Sequence, residues 1–436
     1  MALARLPGKL LRHLRLLRDD PERFGSNLLR LTNPRRFEER LIDLDLPPAL
    51  HVQIADDTTA QPVLHVMMPA LAAGGLTGGP NTALILAWHL ARAGLRVRVM
   101  ATVWKPDTDA PAFWRDLARL VGSDERPPTL ELLLEHGANQ PIAVAPGDWF
   151  LATHWHTAYQ LRPILPRMQQ RRFLYLIQDF EPGFYPFSNN HAACLQSYAL
   201  DHVPIFNETL VRDYFIEAGI GVGADPALAA TALAFEPAVD RSVFHSPQHR
   251  RTDGPRRLLF YARPTNPRNL FGTGLTALRA AVADPVFSRE KWEFLAIGGA
   301  GKMPEFALGD GHVLRQAPWR DYQGYAELLR DSDILLSLML SPHTSYPVLE
   351  MAASGGQVVT NSFGCKTAER LSAMAGGVTV AVPMVENITA ALVEAAHRIG
   401  TPFAPPHVTL PGSWGEAFAS VVPAIARLLA QPAGRA

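Results

Sequence analysis

The chain has 436 residues, 47% hydrophobic and 19% charged, which is enough apolar material for about two domains with cores of their own. Forty-one basic residues balance forty-one acidic ones, so no global field draws nucleic acid. Two cysteines, Cys194 and Cys365, make no disulfide framework, and no run of about 18 apolar residues could span a membrane, so a cytoplasmic protein is expected.

The first notable stretch is "RLPGKLLRHLRLLR", Arg5 to Arg18, with Leu10, Leu11, Leu14 and Leu17 at helical spacing. Such a basic helix can lie on an anionic membrane surface, which would make the protein peripheral on the inner face of the cytoplasmic membrane. It can equally pack on the protein with its arginines in water, since "DDPER" follows at once. Arg and Lys break its apolar stretch too early for a cleavable signal. Residues 1–50 are therefore read as an N-terminal helical extension.

From about residue 62 strands and helices alternate. "PVLHVMMP" fits a buried parallel strand, "ALAAGGLTGGPN" a loop and "TALILAWHLARAG" a helix ended by Gly94. "LRVRVMAT", "DWFLATHW", "RFLYLIQ", "HVPIF" and "TALAF" are further strands. The polar stretch His245 to Arg257 reads as a linker. Alternation then restarts with "RLLFYARP", "NLFGTGLTALRAAV", "WEFLAIGG", "YAELLRDS", "DILLSLML", "QVVTNS", "GVTVAV" and "ENITAALVEAAHRIG". "WGEAFASVVPAIARLLAQ" reads as one final helix. The fold expected is α/β, with two Rossmann-like domains facing across a cleft, at residues 51–245 and 246–436, the second carrying the terminal helix. Ligands then belong beyond the carboxyl ends of the strands, between the domains.

Four stretches could carry chemistry. "AGGLTGGPN", Ala73 to Asn81, lets backbone N–H groups and a helix start approach a ligand, or is simply a tight turn. "LIQDFEPGFYPFS", Leu176 to Ser188, sets Gln178, Asp179, Glu181 and Tyr185 among aromatic rings. That mixture suits a sugar, whose apolar face stacks on rings while its hydroxyls donate to carboxylates; a packed loop with Asp179 capping a turn is the alternative. "YARPTNPRNLF" places Arg263 and Arg268 at a strand end and helix start, where a nucleotide diphosphate meets fixed charge and helix dipole. In "SPHTSYPVLEMAASGGQVV", Glu350 stands in what reads as a first helical turn after Pro347. It either complements the dipole or accepts hydrogen bonds from a ribose or deoxyribose hydroxyl. His343 is a hydrogen-bond donor or a structural histidine. His154 and His156 lack the neighbouring acids or cysteines of a metal site.

Together these stretches resemble retaining GT-B glycosyltransferases of family 4. The combination of "GGLTGGP", "IQDFEP", "YARPTNPRN" and "SPHTSYPVLEM" is most similar to WsaF-type bacterial rhamnosyltransferases. The resemblance covers residues 60–365. It implies transfer from a nucleotide-sugar donor, such as dTDP-rhamnose, to a glycan or lipid-linked glycan acceptor, with retention by a front-face route. In that scheme Arg263, Arg268, Glu350 and Asp179 are catalytic. Gly74, Gly75, Thr77, Asn269, His343, Ser345 and Tyr346 hold the donor, and Gln178, Glu181 and Tyr185 hold the acceptor. No metal or other cofactor is expected, because arginines and helix ends meet the diphosphate. The family's E-x7-E pattern has Pro342 at its first position here, and Arg268 replaces its usual lysine. A non-catalytic glycan-binding protein and a nucleotide-sugar epimerase remain alternatives in the same fold.

Overall fold

A computed structural model describes residues 17, 24–25, 28, 31–33, 44–55, 61–72, 78–134, 140–247, 254–289, 291–299, 301–399 and 408–431. Most of the N-terminal extension, including nearly all of Arg5 to Arg18, lies outside the described residues, as do Gly74, Gly75 and Thr77.

Two seven-stranded sheets organise the chain. The strands of the first half are β1 (Val52–Ile54), β2 (Val63–Met68), β3 (Arg96–Ala101), β4 (Leu130–Leu133), β5 (Ile142–Val144), β6 (Trp149–Ala152), β7 (Phe173–Ile177), β8 (His202–Asn207) and β9 (Leu233–Phe235). Their main sheet runs β4-β3-β2-β6-β7-β8-β9, all parallel, while β1 and β5 pair separately. The second half supplies β10 (Arg256–Tyr261), β11 (Trp292–Ile297), β12 (Phe306–Gly309), β13 (His312–Gln316), β14 (Ile334–Leu336), β15 (Gln357–Asn361) and β16 (Val378–Ala381). This sheet runs β12-β13-β11-β10-β14-β15-β16, with β12 antiparallel at the edge. Strands β2, β6, β7 and β15 are buried along their whole length because helices cover both faces, which is why they read as unbroken apolar runs. In each sheet the strand order reverses next to the first parallel strand, between β2 and β6 and between β10 and β14. Those switch points open a crevice at the carboxyl ends, where such folds take ligands.

Helix α1 (Gly79–Arg92) is apolar nearly all round, and the reason is a second cover. One side lies on the first sheet. The other meets the end of the chain, where Phe418, Val421, Ile425 and Leu429 join the same core. The Phe418 ring packs edge-on against His89 and Phe235. The terminal helix therefore belongs to the first domain, not to the second as its place in the sequence suggests. Nor is it continuous. A short helix, Trp414–Ala417, precedes a separate one, Val421–Leu429, because Pro423 has no N–H to carry a helix across the break.

Other departures are local. β14 leaves its sheet after Leu336, and residues 337–345 become a loop. A hairpin, β12 to β13, turns at Gly309-Asp310-Gly311 with Asp310 at φ 49°, and it was not anticipated. Neither were β1, β4 and β5. The stretch read as a linker ends in strand, since β10 begins at Arg256.

Candidate functional site: the seam between the two sheets

The carboxyl ends of β7 and β8 face those of β10, β14 and β15. β7 and β8 pair in register, Ile177 opposite Phe206. Both strands end the same way, apolar residue, then amide, then acid: Ile177-Gln178-Asp179 and Phe206-Asn207-Glu208. The amides lie on the face that α1 covers and the acids on the other, by the alternation of a strand.

Asp179 reaches into the second domain. Its Oδ2 accepts from Nη1 of Arg268 and its Oδ1 from the Ser341 hydroxyl and, at 2.7 Å, from its neighbour's N–H at Phe180. Burial raises the carboxyl's pKa, but Arg268, His343 and these hydrogen bonds outweigh it and hold it below the usual range. Arg268 lies on a short turn, Pro267–Asn269, with the Phe184 ring 4.4 Å from its Cζ. Its Nε is buried without a partner.

Glu208 is fully buried, with φ at 81° where it starts helix α2 (Thr209–Glu217). It accepts from Thr344 N at 2.7 Å and from Thr344 Oγ1 at 2.5 Å. His343 Nε2 stands 3.2 Å from its Oε1. Ser345 N donates to His343 Nδ1 at 2.9 Å, so the imidazole proton is on Nε2, facing Glu208. Burial presses His343 down to about 4, so it is neutral near pH 7. Burial, and then the Glu236 charge, pushes Glu208 well above the carboxylate range against the Thr344 bonds. Ser345 has φ 76° and Leu270 φ 49°; with Glu208 they put three of the four described non-glycine residues of positive φ along this seam.

Tyr346 opens helix α3 (Tyr346–Ala353). Its hydroxyl accepts from Asn207 Nδ2 at 2.8 Å and meets Thr82 Oγ1 of α1 at 3.0 Å, so it ties the second domain to the first. Glu350 is the fifth residue of α3. It stands in the second turn rather than the first, and no acid lies in the first turn. The dipole account of this residue therefore loses most of its force. Tyr325 donates to its Oε2 at 2.9 Å, while Oε1 has no hydrogen-bond partner among the described residues. Burial, against that Tyr325 bond, pushes Glu350 up to about 7.

The remaining sequence-predicted residues divide. Arg263, just past β10, is half-buried and makes no side-chain hydrogen bond or ion pair among the described residues. Asn269 turns inward and donates to Leu338 O at 3.0 Å, which secures the loop after β14, while its buried Oδ1 has no partner among the described residues. Glu181 is also turned inward, accepting from Trp155 N at 2.8 Å, and burial lifts it to about 8. Tyr185 accepts from Trp155 Nε1 at 3.0 Å. Gln178 donates weakly to Thr153 O at 3.4 Å and keeps a buried, unpaired Oε1 beside Gly79, where a Cβ would come within 2.9 Å of it.

Among the participants not anticipated are Glu208, Tyr325 and Lys366. Glu208 was marked by the amide–acid strand ending it shares with Asp179. Tyr325 and Lys366 carried no signal. The Lys366 side chain is wholly buried, donates to Met339 O at 2.7 Å and lies in the field of Asp179 and Glu208. Burial lowers it to about 7.

Comparison with known proteins fits this geometry. The model of the WsaF N-terminal domain matches residues 63–209, and that of the WsaF C-terminal domain matches residues 256–393. The chain belongs to the WsaF family. The two matched WsaF domains correspond to the two sheets, and the seam lies between them. The O-antigen biosynthesis protein RfbC of Myxococcus xanthus is 34% identical over 225 residues, 51% of this chain but only 16% of that protein's length. Among solved structures, sucrose-phosphate synthase from Thermosynechococcus elongatus superposes with a TM-score of 0.52 at 13% identity, covering 85% of this chain and 99% of that one. HepE of Anabaena in complex with UDP and glucose gives a TM-score of 0.52 at 13% identity, over 85% and 95%. The fold of this WsaF-family chain is GT-B.

Proposed function

We propose that the chain is a glycosyltransferase that moves a sugar from a nucleotide-sugar donor onto a bacterial surface glycan. The observation that carries this reading is the half-satisfied Glu350, with Oε1 free of partners among the described residues, on the helix that follows the loop after β14. A carboxylate so placed accepts from a hydroxyl of the nucleotide's ribose or deoxyribose. The same helix carries Tyr346 on the same face, four residues earlier. Arg263, without a side-chain partner among the described residues, supplies positive charge to the leaving diphosphate, so the reading assigns no step to a metal. Family membership and the identity shared with an O-antigen biosynthesis protein support a surface polysaccharide as acceptor. Retention by a front-face route, and rhamnose from dTDP-rhamnose as the donor sugar, rest on the motif resemblance. The first domain offers Gln178, with its unpaired oxygen, on the acceptor side. The test is release of nucleoside diphosphate from a panel of nucleotide sugars in the presence of membrane glycan. Release from one donor that Glu350→Gln lowers about tenfold or more supports the reading; no release from any donor counts against it.

A further inference from the structure

The partners of Asp179 are those of a phosphate. Its two oxygens are divided between the Arg268 guanidinium and the Ser341 hydroxyl, with Lys366 and His343 near enough to act on its charge. A carboxylate fills this place poorly. Only Nη1 of Arg268 is used, and Nε is left buried without an acceptor. A guanidinium presents paired N–H groups that match a phosphate's oxygens two at a time, and a phosphate has a further oxygen for the serine. Arg263, at the same strand end, has no side-chain partner among the described residues.

We propose that Asp179 is an internal stand-in for a phosphate group, and that a nucleoside diphosphate displaces it from Arg268 and Ser341. This rests on the reading that the second domain takes such a donor. The first domain's own carboxylate occupies the phosphate place and ties the two domains together. Binding then requires the exchange of one anion for another. Apparent affinity is reduced by the fraction of molecules in which Asp179 is already in place. The exchange also frees the Asp179 carboxylate in the cleft beside the incoming ligand.

The probe is inorganic pyrophosphate, titrated calorimetrically into the full chain, followed by UDP and dTDP. Asp179→Asn keeps the shape and removes the competing charge. It should bind pyrophosphate about fivefold to tenfold more tightly than the parent, as expected when a competing closed state is relieved, while Arg268→Ala should lose binding. Equal or weaker binding by Asp179→Asn overturns the proposal. Arg263→Ala separates the two readings. If the parent binds pyrophosphate through Arg263 and Asp179→Asn changes nothing, only the stand-in fails. If no variant binds pyrophosphate or either nucleotide, the donor reading fails and takes the stand-in with it. Should Asp179→Asn not fold, hydrogen exchange in the parent decides. The Phe180 N–H, now donated to Asp179, should exchange faster when pyrophosphate is bound, and unchanged or slower exchange overturns the proposal.

Discussion

Asp179 and Glu208 stand side by side at the ends of neighbouring strands, and each reaches into the opposite domain for different partners. Asp179 takes Arg268 and the Ser341 hydroxyl; Glu208 takes the backbone and side chain of Thr344. The loop 341–344 is thus gripped at both ends by two acids of the first domain. α3, with Tyr346 and Glu350, begins immediately after it. Anything that moves one domain against the other moves that helix.

Glu350→Gln keeps the volume and replaces one acceptor oxygen with a donor. A charge-assisted bond of this kind contributes about 1.5–3 kcal/mol, so donor use should fall about tenfold to a hundredfold. The pH profile is a sharper check. Glu350 sits at about 7, so it is largely protonated at lower pH and a full acceptor above it. Nucleotide affinity of the parent should rise with pH across that value, whereas the Gln variant should show no such rise. Titration calorimetry at several pH values measures both.

Arg263→Ala should weaken nucleoside diphosphate binding by about 1.5–3 kcal/mol, the range for hydrogen bonds to charged groups. Its melting temperature should stay at the parent's value, because no described protein group depends on this guanidinium. A large drop in melting temperature would mean that Arg263 holds the fold instead.

Thr344→Val removes one hydroxyl donor from a buried carboxylate while preserving shape. Leaving that acceptor short should cost about 1–3 kcal/mol of stability. Denaturant unfolding followed by intrinsic fluorescence gives the value, and a change within error would show that water replaces the lost bond.

Glu181 makes stability depend on pH in an uncommon direction. Its folded pKa of about 8 lies above a glutamate's ordinary value of 4.5. Its contribution is fully present below the unfolded value and is lost as pH rises through the folded one. The loss between the two is about 1.4 kcal/mol per pH unit as an upper figure. Glu181→Gln can still accept from Trp155 N and lacks this slope. Its melting temperature relative to the parent should therefore improve between pH 6 and pH 8, and a constant difference would exclude the assignment.

Much of the fold was legible because parallel strands buried on both faces are unbroken apolar runs, as in "VLHVMM" and "FLYLI". What escaped has physical causes. β4 is half-exposed and follows two prolines, and the β12 hairpin depends on a Gly-Asp-Gly turn rather than on apolar content. "DILLSLML" reads as one strand, yet Asn269, Asn361 and Lys366 capture the Leu338 and Met339 carbonyls and draw the chain out of the sheet. Arg263 stands just past a strand end, as its place in the sequence suggests, whereas Glu350 falls one turn deeper in its helix than the sequence suggests. Asn269, Glu181 and Tyr185 turn to the protein's own groups instead, because direction of a side chain at a strand end or short turn is decided by packing partners far away in sequence. Lys366 is the extreme case: a lysine in a polar stretch gives no sign that three strand ends will close over it.

The covering of α1 by Val421–Leu429 bears on how the polypeptide is made. On the ribosome the first sheet and its helices emerge well before the last residues that complete their core. Until residues 418–429 have been made, the outer side of α1, with its buried leucines and Trp88, has no permanent partner. The second sheet carries no such debt, since its own clusters draw on residues of its own half and the short connection before it. The order of maturation is therefore reversed relative to the order of synthesis: the later-made half can reach its native packing first. A stalled or prematurely terminated chain would expose an apolar helix face on the half that was translated earliest, where a chaperone or protease would find it.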